Sequence, residues 1–149
     1  MPGPAVRASS LIVRLARDLR TVLDQHFAEL GLTSQQAGLL IHVFTGQSGP
    51  KGLADLLGID TASVSRLVDR LEAKDLVRRA AVPGDRRAIV VELTPEGVAL
   101  VPKLPPIFEA VGKQLVRGVD AKATAAALAT MLGNVHALLP DPDDAPRRD

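Results

Sequence analysis

The chain has 149 residues, a formal net charge of +1 and 46% hydrophobic residues, enough for one domain of ordinary size with a buried core. It has no cysteine, three Phe and neither Tyr nor Trp, which excludes disulfide staples, thiolate metal sites and thiol redox sensing and disfavours single-strand binding by base stacking. No apolar run approaches the ~18 residues of a membrane helix, and the N-terminus MPGPAVRASS lacks a secretory-signal pattern, so a cytoplasmic protein without a membrane partner is expected.

Residues 1–8 carry two prolines and a glycine and read as a flexible arm. From Ser9 the pattern is helical: Ile12, Leu15, Leu19, Val22, His26 (or Phe27) and Leu30 recur every three or four residues, and Gly31 supplies the stop. Leu11, Val13, Ala16 and Leu23 widen the apolar stripe, so this helix is expected to bury against two partners, one of them a second chain. Thr33 with Gln36 forms a capping box for a second helix that runs through Leu39, Leu40, Ile41 and Val43 to about Phe44. After a loop over 46–49, Pro50 opens a short third helix with Leu53, Ala54, Leu56 and Leu57, closed by Gly58 in a left-handed conformation. Helix, glycine-containing turn, helix is the grammar of a helix-turn-helix.

Asp60 stands as N-cap of a fourth helix, whose buried face is Val64, Leu67, Val68 and Leu71. Its outward side carries Ser63, Ser65, Arg66 and Arg70. The period then changes. Leu76 to Arg79 and Ile89 to Leu93 read as two short strands around the turn signal Pro83-Gly84-Asp85, with a basic tip at Arg86 and Arg87. A helix of this kind fits the major groove of B-DNA, and a basic hairpin tip can reach an adjacent minor groove. From Thr61 to Leu93 seven basic residues stand against five acidic ones. The excess is small, so a DNA-reading role rests on placement rather than on bulk charge. Thr61 and Lys51 are candidate phosphate contacts.

Thr94 and Pro95 start a fifth helix as N-cap and first residue. Pro102, Pro105 and Pro106 must break or kink it between about Val101 and Pro106, since proline removes a helical hydrogen bond. Helix resumes through Ile107, Phe108, Val111, Leu115 and Val116; Asp120 caps a sixth, with Leu128, Met131, Leu132, Val135 and Leu138. The tail, residues 140–149, has no apolar face and is expected to be disordered.

The run SRLVDRLEAKDLVRR, followed by GDRRAIVVELTPEG, closely resembles the winged-helix core of the MarR family of bacterial transcription regulators. Its most specific part is Asp85-Arg86-Arg87 followed by Leu93-Thr94-Pro95-Glu96-Gly97. The resemblance covers Leu11 to Gly97 well and the C-terminal third only by helical character. It implies a mainly α fold with a small β-hairpin wing. Residues 9–139 would form one domain, with a winged helix-turn-helix core at 33–93 and dimerisation helices at 9–31 and 95–139. It implies a homodimeric repressor of palindromic double-stranded DNA, its two recognition helices roughly 34–36 Å apart. Arg87 would enter the minor groove with Asp85 holding its guanidinium, Arg86 would touch phosphate, and a small aromatic or phenolic effector would bind between the dimerisation and DNA-binding parts. Two departures stand out. Asp75 occupies a turn where the family usually has Gly, and the prolines interrupt a helix that is often more continuous.

His26, His42 and His136 lie far apart with no second ligand at metal spacing, so they read as structural or surface residues. His26 and His42 could face a cavity between the first and second helices. No metal or cofactor is expected. No nucleophile–base set, phosphate-binding glycine loop or metal motif supports an enzyme. The other alternative, a winged-helix module for protein contact only, is disfavoured by the basic wing.

Overall fold

The computed structural model describes residues 1–140. The first helix, α1 (Pro4–Phe27), starts well before the pattern that signals it: Gly3 is its N-cap, with proline in the first turn, and residues 4–8, expected as an arm, are helical. Proline there sacrifices an N–H that has no helical partner anyway. A 3₁₀ turn over Ala28–Leu30 ends on Gly31 at φ 69°. In α2 (Ser34–Phe44) the reciprocal capping box of Thr33 and Gln36 is present. A second cap comes from α1: Asp24 accepts the backbone N–H of Ser34 at 2.7 Å and its hydroxyl at 2.6 Å. Helix α3 (Pro50–Leu57) ends at left-handed Gly58, φ 66°, and α4 (Thr61–Ala73) follows from the Asp60 cap.

The strands β1 (Val77–Val82) and β2 (Asp85–Leu93) are longer than the apolar pattern suggests. They pair antiparallel from Val77↔Leu93 to Ala81↔Ile89. On the other edge of β2, the Val91 N–H donates to the Ser48 carbonyl at 2.9 Å, which ties the hairpin to the loop before α3. Helix α5 (Pro95–Leu100) gives way to a 3₁₀ turn over Val101–Lys103, and α6 (Pro105–Leu115) starts at the next pair of prolines. Helix α7 (Ala121–His136) is capped by Asp120, which accepts from the Ala123 N–H at 2.9 Å.

The chain divides into two compact units, residues 1–111 and 112–149, with α6 crossing the boundary. In the first, Phe27, Leu39, Leu40, Leu53, Val64, Val68, Leu71 and Leu104 are fully buried. Phe27 packs a tilted ring against Phe108, centroids 4.7 Å apart, a geometry aromatic pairs favour. Lys74, at the end of α4, donates to the Gly31 carbonyl and to Gln36 Oε1 (3.0 Å), closing the core across α2. The second unit buries no residue of α7, whose Leu128, Met131, Leu132 and Val135 stay exposed. The expected disordered tail lies, apart from Pro140, outside the described residues. No helix among the described residues is long and apolar enough to cross a membrane.

Candidate nucleic-acid interface

Helix α4 buries Val64, Leu67, Val68 and Leu71, so its remaining surface is fixed outward. Ser65, Arg66 and Arg70 are exposed there and Ser63 is half-buried. A relay of hydrogen bonds organises the first turn. Asp60 accepts the Ser63 backbone N–H at 2.7 Å and the Ser63 hydroxyl at 3.0 Å, and Arg66 Nη2 donates to Ser63 Oγ at 2.8 Å. These bonds hold the Asp60 carboxyl below the ordinary carboxylate range; the Ser63 N–H is the largest cause, the Ser63 hydroxyl next, with the Arg66 charge adding to them. The Ser63 hydroxyl is thus engaged twice within the protein. Arg66 is exposed, and among the described residues its guanidinium makes no further side-chain hydrogen bond.

The wing differs from a simple basic tip. Gly84, at φ 84°, and Pro83 make the turn, and the register then slips. Val82 pairs with Asp85 while Ala81 pairs with Ile89, so Arg86, Arg87 and Ala88 bulge out of β2. Asp85 Oδ1 accepts the backbone N–H of Arg87 at 3.0 Å and of Ala88 at 3.3 Å. The carboxylate therefore holds the bulge backbone. The expected grip of Asp85 on the Arg87 guanidinium is not among the ion pairs of the described residues. The reason is local: bulged N–H groups have lost their ladder partners, and a carboxylate two residues away satisfies them. Arg86 and Arg87 remain exposed.

Asp69 and Glu72, the acidic neighbours of Arg70 along α4, are both taken by Arg79 of β1. Arg79 Nη2 further donates to the Ser65 carbonyl and hydroxyl oxygens, each at 3.1 Å. Arg70 makes no ion pair among the described residues and faces solvent. Sequence reasoning did not single out Arg79, because nothing in the local pattern says which arginine of β1 meets the helix; alternation only places Arg78 and Arg79 on opposite faces. Arg78 pairs across the hairpin with Glu92 at 2.9 Å instead. Lys51 and Thr61 are exposed near the starts of α3 and α4.

Of the histidines, His26 bonds its Nδ1 to the Val22 carbonyl oxygen at 2.8 Å. Only His42 lines the cavity between α1 and α2. That cavity, of about 470 Å³, is walled by Ala16, Leu19, Leu23, Ile41, Leu57 and Phe108, with Arg20, Gln35 and His42 as its polar edge. Among the described residues no three His, Asp or Glu side chains could hold a metal ion.

A helix-turn-helix whose second helix faces outward, followed by a hairpin that displays two arginines, is a winged helix-turn-helix. Residues 30–88 match the family model described as "MarR family". The structure of the transcriptional regulator PA3341 is 30% identical, with a TM-score of 0.72 over 87% of this chain and 96% of that one. The chain belongs to the MarR family of DNA-binding transcriptional regulators. A 61-residue stretch is 41% identical to the HTH-type transcriptional repressor NicR of Pseudomonas putida, spanning 39% of each protein. The structure of the Staphylococcus aureus MepR–DNA complex has a TM-score of 0.77 at 23% identity, covering 89% of this chain and 98% of that one.

Proposed function

We propose that this regulator is a cytoplasmic homodimeric repressor without enzymatic activity, which lays α4 in the major groove and the bulged wing in the adjacent minor groove. The observation that carries the reading is the pairing of two outward cationic groups, Arg66 on α4 and Arg86–Arg87 on the bulge, on elements joined by side-chain bonds. Arg66 suits a guanine edge, and Ser65 and Arg70 suit bases or phosphates beside it. Ser63, engaged with Asp60 and Arg66, acts at one remove. Arg87 suits a narrow, strongly negative minor groove, Arg86 suits phosphate, and Asp85 shapes the bulge that presents them.

Exposed apolar residues on α1 (Val6, Leu11, Val13, Leu15) and on α7 (Leu128, Met131, Leu132, Val135) supply the surface for a symmetric dimer, which would read a palindrome. The cavity beside His42 and Arg20 has the size and the apolar lining of a small-ligand site, and a small aromatic or phenolic effector is its expected occupant. The repressor reading follows NicR, and the DNA partner follows MepR.

The test is a binding assay on the protein's own upstream intergenic DNA across a salt series, with Arg87→Ala beside the wild type. The variant should lose about 1–3 kcal/mol of binding with its thermal unfolding unchanged. Equal affinity at matched salt would remove Arg87 from the interface.

A further inference from the structure

The wing is a two-stranded hairpin, and such a hairpin is marginal by itself. It joins α4 through a short turn, and only its base is anchored by packing: Val77 and Val91 lie in the buried core and the Val91 N–H donates to the Ser48 carbonyl. A cavity of about 210 Å³ separates the two elements, lined by Pro50, Val64, Val68 and Ile89 among others, and Arg79 forms part of its wall. Beyond that base, the side-chain hydrogen bonds and ion pairs from the hairpin to α4 among the described residues all come from Arg79. The Arg79 guanidinium reaches the Ser65 carbonyl and hydroxyl at 3.1 Å, the Asp69 carboxylate at 2.8 Å, and the Glu72 carboxylate. Residues 65, 69 and 72 fall at i, i+4 and i+7, a single stripe of α4. A planar fork of five donors can engage several such acceptors at once, which a lysine ammonium cannot do in a fixed plane. The side chain is only 30% exposed and its two carboxylate partners already exceed its charge, so it is not available to a DNA phosphate.

We infer that Arg79 is a positioning residue that sets the angle between α4 and the wing, and so matches Arg66 to the major groove and Arg87 to the minor groove of the same site. The inference rests on the DNA-reading assignment above. Its consequence is that loss of Arg79 weakens binding through Arg86 and Arg87, which it never touches.

Two measurements test it. The first needs no DNA. Because the chain has no cysteine, spin labels at Ala62→Cys and Pro83→Cys report the helix-to-wing distance within one protomer, diluted with unlabelled protein. Arg79→Gln should broaden that distribution, and an unchanged distribution overturns the inference.

The second is affinity for a duplex that the wild-type protein selects from random sequence, measured well below the unfolding midpoint of every variant. Arg79→Gln should lose roughly 3- to 30-fold in affinity with no change in salt slope, because no phosphate contact goes with it. The loss should largely vanish in an Arg86→Ala/Arg87→Ala background. Losses that multiply, a salt slope reduced by about one, or full rescue by Arg79→Lys would each overturn it, the last by showing that charge masking suffices. If the wild type selects no duplex, the DNA-reading assignment itself fails, and the spin-label result still decides whether Arg79 holds the wing.

Discussion

The carbonyl oxygen of Asp75 accepts the hydroxyl proton of Thr94 at 2.6 Å. The same hydroxyl oxygen accepts the Gly97 N–H at 3.1 Å, so one threonine fastens the turn after α4 to the first turn of α5 and brackets the hairpin between them. Asp75 meets this demand at φ 56°, the one non-glycine residue with positive φ among the described residues. The turn closes as a helix C-terminus should, with Leu76 N–H on the Leu71 carbonyl at 3.0 Å and Asp75 N–H on Glu72 at 2.9 Å.

A left-handed conformation costs an L-residue energy that glycine does not spend. Only the Asp75 main chain contacts Thr94, so Asp75→Gly keeps the bond and removes the strain. The variant should be more stable by up to about 1 kcal/mol, read as a higher urea midpoint with the same denaturant slope. A lower midpoint would mean that the aspartate side chain contributes something the backbone does not.

Gly97 is constrained by approach rather than by torsion. A Cβ there would stand far inside contact distance of the Leu76 carbonyl oxygen, a backbone atom with nowhere to move. Gly97→Ala should therefore destabilise the protein by about 1–3 kcal/mol, the cost of overpacking a closed site. The side chains proposed to face DNA are elsewhere, so the folded fraction should keep its operator affinity. Unchanged thermal stability would count against the close approach.

Sequence patterns carried the helices well where the signal was chemical and local. Thr33 with Gln36, Asp60, Thr94 with Pro95, and Asp120 each cap the helix they announce. Two boundaries went astray for physical reasons. Helix α1 begins at Pro4 because proline and glycine at an N-terminus can start a helix as well as interrupt one. The hairpin is longer than its apolar alternation because Asp85, Arg86 and Arg87 extend a strand that no apolar side chain marks. Outward residues of α4 were legible, since the buried face fixes the rest. The bulge and the Arg79 bridge were not, because a register slip and a multi-partner side chain are decided by three-dimensional fit.

The cap at Asp60 makes α4 sensitive to acid. Its carboxyl titrates below the ordinary range in the folded chain, whereas in the unfolded chain it would titrate at about 3.9. A depressed folded value means that the stabilisation is fully present above the unfolded value and is lost as pH falls through the folded one. Asp60→Asn keeps a side-chain oxygen for the Ser63 N–H but cannot titrate. Its unfolding midpoint should fall less steeply below about pH 4 than that of the wild type, and parallel curves would show that Asp60 takes no part in the acid response.

On the proposed DNA-facing side of α4, Ser63 and Arg66 are expected to divide positioning from reading. Arg66 spends one guanidinium nitrogen on Ser63 Oγ, and Ser63 is itself fixed by two bonds to Asp60. An arginine tethered through one terminal guanidinium nitrogen offers its remaining donors in a narrower cone, which favours a directed contact with guanine over looser contacts with other bases. Arg66→Ala should therefore cost about 1–3 kcal/mol and relax selectivity at one base pair of each half-site. Ser63→Ala should relax the same base pair with a smaller loss of affinity, because the cation survives but its restraint does not. Selection from a randomised half-site, followed by sequencing for each variant, reads both effects. Relaxation at different base pairs in the two variants would mean that Ser63 contacts DNA for itself.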